Sequence, residues 1–158
     1  MKVLVTKEKR EGEKRVALVP DVVSKLTRAG LEVAVESGAG LASGASDAAY
    51  VGAGATITSD VKSALSGADV ILSVQPLTPT EIATLKSGAI TISFLSPSTF
   101  GENIAAAEKA SVTALALELV PRISRAQSMD ALTSQALCAG YRAALVAVSY
   151  THLRAHET

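Results

Sequence analysis

Residues 119–143 read LVPRISRAQSMDALTSQALCAGYRA and join the end of a predicted strand to the start of a long predicted helix. Pro121 closes the extended segment before it, because proline has no amide hydrogen to donate to a sheet. From about Ala126 the apolar residues recur at steps of three and four positions, which is the period of a helix with one apolar face. A strand followed by a helix in this way is the repeating unit of an α/β fold.

Polar residues are concentrated at this junction. Arg122 and Arg125 stand just ahead of the predicted helix, near its positive N-terminal end. Four further polar residues are spaced three and four positions apart, so their side chains share one helix face. These four are Gln127, Asp130, Thr133 and Ser134.

Two interpretations of this junction fit the residues. In the first, it is an ordinary helix start, with Ser124 as N-cap and Gln127 as its capping-box partner. In the second, it is a ligand site, because α/β folds bind ligands outside the carboxyl ends of their strands.

The rest of the chain alternates predicted strands with predicted helices. The predicted strands are residues 2–6, 31–36, 55–58, 69–74, 89–95 and 112–117, and the predicted helices are residues 20–29, 46–51, 60–66, 79–85, 103–109 and 127–147. Such alternation implies right-handed crossovers. We therefore predict an α/β fold with a doubly wound, mostly parallel, Rossmann-like (flavodoxin-like) sheet and helices on both faces.

Composition agrees with this fold class. The 158 residues are 48% hydrophobic but only 3% aromatic, so the core must be built from Ala, Val, Leu and Ile, as in parallel sheets covered by helices. The net charge is zero and no long basic cluster occurs, which argues against a nucleic-acid partner. The single cysteine, Cys138, excludes an internal disulfide, and its Ala- and Leu-rich surroundings predict a buried, unreactive thiol.

Several segments have a structural and a functional interpretation. The glycines in residues 38–44, GAGLASG, resemble a dinucleotide fingerprint, but the spacing GxGxxxG favours a tight structural loop.

Apolar runs are interrupted by Ser, Thr or charge before they reach membrane-spanning length. Charged residues follow residues 2–6 at once, unlike a signal peptide. These features predict a soluble, cytoplasmic protein, and leave attachment to a membrane partner open.

The block PRISRAQSMDAL at residues 121–132, followed by AGYRA at 139–143, resembles a specific family signature. It is similar to the NAD(H)-binding component of proton-translocating NAD(P) transhydrogenases, in the N-terminal region of the alpha subunit. Alanine dehydrogenases belong to the same family group. The resemblance runs from residue 1 to about residue 148.

The resemblance implies roles for the polar residues at the junction. Arg122, Gln127, Asp130 and Thr133 would surround the nicotinamide end of NAD, and Ser134 would belong to the same cofactor-binding set. Arg122 and Thr133 would hold the carboxamide and Asp130 would orient Arg122, while Gln127 would reach toward the facing cofactor. Thr133 stands where the family usually has Ser, so it keeps the hydroxyl and adds a methyl group.

Other positions bear on which branch of the family the chain resembles. Arg15, in the block KRVALVP, matches an Arg with which alanine dehydrogenases hold the substrate carboxylate, and both branches carry it. Alanine dehydrogenases also use a Lys and a His, for which this chain has Gln75 and Ser96. Dehydrogenation of an amine needs groups that titrate near neutrality, whereas hydride exchange between two nicotinamides does not. The residues therefore favour a transhydrogenase.

Two alternatives remain open: an alanine dehydrogenase-like amino-acid oxidoreductase, and a truncated domain without catalytic activity. The family's second Rossmann domain, with its GxGxxG loop, is missing, so residues 1–148 are interpreted as the first half of a two-domain NAD component. Residues 149–158 lose the family pattern and are interpreted as a non-native or disordered tail. This tail carries His152 and His156, which lack a third metal ligand, so no metal site is predicted.

The resemblance also implies cofactors, partners and a location. NAD(H) would bind this component and NADP(H) a partner component. The partners would be a second copy of the NAD component, in a homodimer, and the NADP(H)-binding and membrane-spanning transhydrogenase subunits. The protein would lie on the cytoplasmic side, peripheral to the inner or plasma membrane, and the first half alone should bind NADH poorly.

Overall fold

The chain forms two compact units, one from Met1 to Ala116 and one from Leu117 onward. The computed structural model describes residues 1–155, and for residues 152–155 it describes the backbone alone. The first unit contains every strand of the described chain and all but one of its α-helices. The predicted polar junction at residues 119–134 lies in the second unit.

All six strands belong to one sheet. They are β1 (Lys2–Val5), β2 (Glu32–Glu36), β3 (Thr56–Thr58), β4 (Val70–Leu72), β5 (Ile90–Ser93) and β6 (Thr113–Ala116). Every neighbouring pair is parallel, in the order β3-β2-β1-β4-β5-β6. The predicted doubly wound α/β fold is confirmed, and its strand order is that of Rossmann domains rather than of flavodoxin-like ones.

Six α-helices form in the described residues, and three of them begin at side-chain caps. They are α1 (Pro20–Arg28), α2 (Asp47–Gly52), α3 (Val61–Gly67), α4 (Pro79–Ile82), α5 (Gly101–Lys109) and α6 (Ala131–Ala155). Ser46 and Asp60 accept a backbone N–H as side-chain N-caps of α2 and α3. Thr78 and Glu81 form a reciprocal capping box at α4. All the predicted strands and helices exist, and in the first unit their ends are shifted by a few residues.

Two apolar clusters make up the core, and both consist of first-unit residues. Alternate residues of β1 supply both clusters, because neighbouring side chains of a strand point to opposite faces. Val3 and Val5 pack with Val23 of α1 and Tyr50 of α2. The other β1 face and its neighbour β4 supply a second cluster, which also includes residues of α3, α4 and α5. Helices therefore cover both faces of the sheet.

The glycine-rich loop after β2 is stabilised by its own contacts. The Asp47 carboxylate accepts the Gly38 N–H at 2.9 Å and the Ser37 hydroxyl at 2.8 Å. A Cβ atom at Gly40 would lie 2.6 Å from the Tyr50 ring and 2.7 Å from the Ala45 carbonyl oxygen, so only glycine fits without displacing them. These contacts account for the loop, as the structural interpretation of residues 38–44 predicts.

The second unit departs from prediction in where its helix begins and ends. Residues Ser124–Met129 form a 3₁₀-helix with no side-chain cap, so Ser124 and Gln127 do not form a capping box. The α-helix begins at Ala131 and continues to Ala155, past the predicted end at residue 147. Cys138 is exposed rather than buried. Whether residues 149–158 are native stays a prediction; residues 156–158, with His156, and the His152 side chain lie outside the described residues.

One described helical segment, Ala131–Thr151, meets the length and composition that crossing a membrane requires. The sequence prediction that no apolar run is long enough is wrong by this criterion, because the segment's small and hydroxyl residues lower its apolar character only slightly and Arg142 is its only charge. A single helix of this kind is a weak indication, since helices of soluble proteins also meet it.

Candidate functional site

Three of the five predicted nicotinamide-binding residues line one small hollow of the second unit. The hollow has a volume of about 240 Å³ and is lined by Arg122, Ile123, Ser124, Ala126, Gln127 and Asp130. Arg122 lines it from the short segment after Pro121, in which the Ile123 N–H donates to the Pro121 carbonyl oxygen at 2.9 Å. The 3₁₀-helix Ser124–Met129 brings Gln127 to the hollow as well, and Asp130 lines it where that helix ends. Three of the predicted site residues therefore share one concave surface.

Asp130 holds Thr133 through two hydrogen bonds. The Thr133 N–H donates to Asp130 Oδ1 at 2.9 Å and the Thr133 hydroxyl donates to Oδ2 at 2.5 Å. The first bond is that of a helix N-cap to the third residue of its helix. The Thr133 hydroxyl bond is the main cause that lowers the pKa of Asp130, followed by the Thr133 N–H. Asp130 is thus an anion at neutral pH whose direction is fixed by the start of α6.

Ser134 has a partner within this turn, whereas Arg122 and Asp130 are not joined directly. In the described residues no ion pair within 4 Å joins Arg122 to Asp130, although the charge of Arg122 contributes to the lowered pKa of Asp130. The Asp130 carboxylate accepts from Thr133 instead, and its role in orienting Arg122 stays a prediction. The Ser134 hydroxyl donates to the Asp130 backbone oxygen at 3.2 Å, which secures the same turn.

This arrangement offers a ligand both donors and acceptors. Arg122 presents a guanidinium that donates only, Gln127 a carboxamide that does both, and Asp130 a carboxylate that accepts only. The Thr133 hydroxyl donates its hydrogen to Asp130, so it can only accept a hydrogen bond from a further group. Such a set complements a primary amide, which itself carries one acceptor oxygen and two donor hydrogens.

Arg15 lies in the first unit and is engaged by Glu13. The Arg15 Nε donates to Glu13 Oε1 at 2.7 Å and an Nη2 hydrogen donates to Oε2 at 2.6 Å, which is a two-pronged ion pair. The Arg15 guanidinium also lies 5.7 Å from the centre of the Phe94 ring. These bonds from Arg15 are the main cause that lowers the pKa of Glu13 to about 2. The role of Arg15 toward a substrate stays a prediction.

Both the nitrogen and the oxygen of the Gln75 side-chain amide are hydrogen-bonded. Its Nε2 donates to Glu13 Oε2 at 2.9 Å and its Oε1 accepts from Arg10 at 3.1 Å. Its backbone N–H and that of Val74 donate to the carboxylate of Glu8 at 3.0 and 2.6 Å. The side chain at position 75 is therefore an anchored neutral amide, without a proton to exchange near neutral pH.

Thr6 and Ser73, which follow β1 and β4, are not predicted from the sequence as candidate site residues. Both residues are buried, and both line a crevice of about 650 Å³ in the first unit. Their importance depends on the strand order, because β1 and β4 are neighbours only in the folded sheet. A small hydroxyl residue directly after each of two buried strands was the available signal.

Comparison with known proteins gives matches over most of the chain. Residues 4–139 match the family model described as "Alanine dehydrogenase/PNT, N-terminal domain". The chain is 49% identical over 150 residues to an NAD(P) transhydrogenase alpha-subunit protein of Rhodospirillum rubrum, covering 92% of this chain and 39% of that protein. It is 35% identical over 146 residues to alanine dehydrogenase of Bacillus subtilis, covering 92% of this chain and 38% of that enzyme.

A solved structure supports the same relationship. The transhydrogenase of Sinorhizobium meliloti superposes with a TM-score of 0.88 at 42% identity, over 94% of this chain and 44% of that one. The chain thus spans about two fifths of the length of the curated relatives described above.

Proposed function

The chain belongs to the family of alanine dehydrogenase and PNT N-terminal domains, and we propose that it is a portion of the NAD(H)-binding component of a proton-translocating NAD(P) transhydrogenase. In this proposal the hollow beside Asp130 receives the nicotinamide end of NAD(H). The observation that carries the proposal is that Arg122, Gln127 and Asp130 line one hollow and that Thr133 is bonded to Asp130.

The size and chemistry of the hollow fit one ring and its carboxamide. Its volume of about 240 Å³ suits a single small ring rather than a whole dinucleotide. Arg122 donates to the carboxamide oxygen, and the Thr133 hydroxyl accepts from the carboxamide nitrogen. Asp130 keeps Thr133 in place for this contact, and Gln127 extends from the hollow toward a second cofactor.

When bound, the nicotinamide supplies the chemistry, by giving or taking a hydride at its ring. The side chains of the hollow have no proton to transfer in that step, so their contribution is position and electrostatics. A fixed ring orientation matters, because hydride transfer between two rings needs the reacting carbons in close contact. Arg122 and Asp130 are suited to this task because their charges stay constant near neutral pH.

The remainder of the proposal concerns components outside this chain. A second Rossmann domain would bind the adenosine and pyrophosphate of NAD(H), and NADP(H) would bind a partner component. A membrane-spanning partner would couple hydride transfer to proton movement, with this component as a homodimer on the cytoplasmic face of the inner or plasma membrane. The identity to transhydrogenase alpha subunits supports this remainder of the proposal.

An alanine dehydrogenase-like activity is the second candidate, favoured by the 35% identity to the Bacillus enzyme. Gln75 argues against it, because its amide is bonded to Glu13 and Arg10 and cannot act as an acid or base. An assay of the complete component with alanine and NAD, or with pyruvate, ammonium and NADH, separates the two candidates. Turnover of alanine comparable to that of a dehydrogenase would favour the second.

The test of the proposal is Asp130→Asn in the complete transhydrogenase that contains this chain. Asn retains an N-cap oxygen but loses the negative charge, so it weakens the hold on Thr133 while the helix persists. We expect hydride transfer from NADH to an NADP analogue to fall about tenfold or more. Asp60→Asn is the matched control, because Asp60 makes the same kind of cap to Ser63 at the start of α3. Equal loss in both variants, or in neither, contradicts the proposal.

A further inference from the structure

The hollow beside Asp130 has an apolar side to which the proposed function gives no role. Ile123 and Ala126 line the hollow together with its polar residues. Ala126 is only 4% exposed, so its methyl group lies at the bottom of the hollow. Ile123 is 50% exposed, so half of its side chain remains accessible to a ligand at the rim. The hollow therefore has an apolar floor and an apolar wall beside its polar groups.

The 3₁₀-helix Ser124–Met129 places the apolar and the polar residues side by side. Because a 3₁₀-helix has three residues per turn, residues three positions apart lie above one another. Ser124 and Gln127 therefore share one side of the helix, and Ala126 lies on the next side. The Ala126 N–H donates to the Ile123 carbonyl oxygen at 2.9 Å, which ties Ile123 to the same turn. The hollow lies where the apolar and the polar sides meet.

This division matches the two parts of a nicotinamide. The carboxamide needs hydrogen-bond donors and acceptors, and the polar side of the hollow supplies them through Arg122 and Gln127. The reduced ring is neutral and apolar on its faces, so its contact with the alkyl side chain of Ile123 is favourable. The small side chain of Ala126 leaves the bottom of the hollow open, whereas a larger side chain would occupy this space.

We propose that Ile123 and Ala126 form a platform for one face of the nicotinamide ring, and that the small size of Ala126 sets the depth to which the ring enters. A platform on one face leaves the opposite face accessible to the second cofactor for hydride transfer. Both residues act through contact and position, and neither moves a proton. This inference rests on the proposed function and adds two residues to the binding site.

Ala126→Leu tests the platform in the complete NAD(H)-binding component that contains this chain, because it adds three carbon atoms at the bottom of the hollow. ADP-ribose has the adenosine, pyrophosphate and ribose of NADH but no nicotinamide. In calorimetric titrations we expect NADH to bind about tenfold more weakly or worse, and ADP-ribose to stay within about twofold of wild type. Ser128→Leu is the matched control and should change neither affinity, because Ser128 is exposed, belongs to the same helix and does not line the hollow. Equal weakening of both ligands, or unchanged NADH binding, overturns the proposal.

Ile123→Ala keeps the test decisive if circular dichroism shows that Ala126→Leu has lost helix content. Ile123 is half exposed, so its truncation endangers the fold less. We expect NADH to bind about threefold more weakly and ADP-ribose as in wild type. Met129→Ala is its control, because Met129 is 57% exposed and does not line the hollow. Wild-type affinity for NADH in Ile123→Ala contradicts the platform.

Asp130→Asn separates a failure of this inference from a failure of the proposed function. If Asp130→Asn slows hydride transfer while Ala126→Leu and Ile123→Ala bind NADH like wild type, the polar groups alone hold the cofactor and the platform is refuted. If none of the three variants affects NADH binding or hydride transfer, the hollow is not a nicotinamide site and both proposals fail.

Discussion

The two units of the chain differ in what their residues are used for. The first unit places apolar residues of five helices and the sheet in two buried clusters. In the second unit the described side chains are largely exposed, and Ala126 is the buried apolar residue among them. The residues proposed to hold the nicotinamide nevertheless lie in the second unit. Stability and the proposed chemistry therefore depend on different segments of the sequence.

This difference has a local physical basis. In the first unit several polar groups are satisfied by contacts far away in sequence, such as Glu8 with the backbone of Val74 and Gln75. In the second unit Asp130 is satisfied by Thr133, three positions away. Contacts between distant segments form only with the whole sheet, whereas a capped helix start needs little more than its own turn.

The largest effect that would test this comparison is on stability. Ile71, in the centre of β4, is fully buried, so Ile71→Ala should lower the free energy of unfolding by about 2–5 kcal/mol. Leu137, on α6, is 74% exposed, so Leu137→Ala should change it by less than about 0.5 kcal/mol. Urea unfolding followed by circular dichroism measures both. If Leu137→Ala costs as much as Ile71→Ala, the second unit contributes to the core more than its exposure indicates.

The fold of the first unit was predictable because its signals are local and repeated. Pro20 at the start of α1, the caps Ser46 and Asp60, and short β-branched runs each mark an element without knowledge of the others. Right-handed crossovers then imply a parallel sheet. Strand order depends on which distant segments pair, so the sequence did not distinguish a Rossmann order from a flavodoxin-like one.

The candidate sites were predictable only to a limited extent. The cluster of Arg122, Gln127 and Asp130 followed from spacing and family resemblance, and the structure brings these residues to one hollow. The partner of Asp130 did not follow, because the sequence interpretation places the N-cap at Ser124, six positions earlier. Asp130 caps the α-helix, and Ser124 begins a 3₁₀-helix instead. The crevice at Thr6 and Ser73 could not be predicted, because these residues come together only when β1 pairs with β4.

A second test concerns the long-range network of the first unit. Arg15 lowers the pKa of Glu13 from its usual value of 4.5 to about 2, whereas burial is the main cause that raises the pKa of Glu8. We expect carboxyl NMR titration to give a Glu13 midpoint near 2 and a Glu8 midpoint above 4.5. Arg15→Gln should move the Glu13 midpoint upward, and Arg28→Gln, on the surface of α1, should leave it unchanged.

The sign of the pH dependence follows from these directions. A lowered pKa means that the folded protein favours the Glu13 carboxylate, so this contribution to stability is complete above pH 4.5 and is lost as the pH falls toward 2. Wild type should therefore lose roughly 1–3 kcal/mol more than Glu13→Gln across that interval. The raised pKa of Glu8 acts in the opposite direction, because its protonation favours the folded state. A Glu13→Gln variant with the same acid dependence as wild type would show that the ion pair with Arg15 does not persist in solution.

The smallest expected effect is at Thr133, and it separates hydroxyl chemistry from helix capping in the second unit. Thr133→Ser keeps both donors to Asp130, so hydride transfer in the complete transhydrogenase should stay within about twofold of wild type. Thr133→Val keeps the backbone N–H and the branched shape but removes the hydroxyl, so the cap survives while Asp130 loses its closest partner. The Asp130 pKa should then rise, because the Thr133 hydroxyl is the main cause of its lowering.

Turnover and helix content, measured for both Thr133 variants, distinguish a role in ligand binding from a role in helix capping. If the hydroxyl serves the ligand, Thr133→Val should slow hydride transfer and raise the KM for NADH while the circular dichroism of the isolated chain stays unchanged. If Thr133 serves only the helix start, both variants should behave like wild type in turnover, because both retain the backbone bond to Asp130. The second result would mean that Arg122 and Gln127 hold the cofactor in the hollow. Asp130 would then stabilise the helix start and would not hold the cofactor.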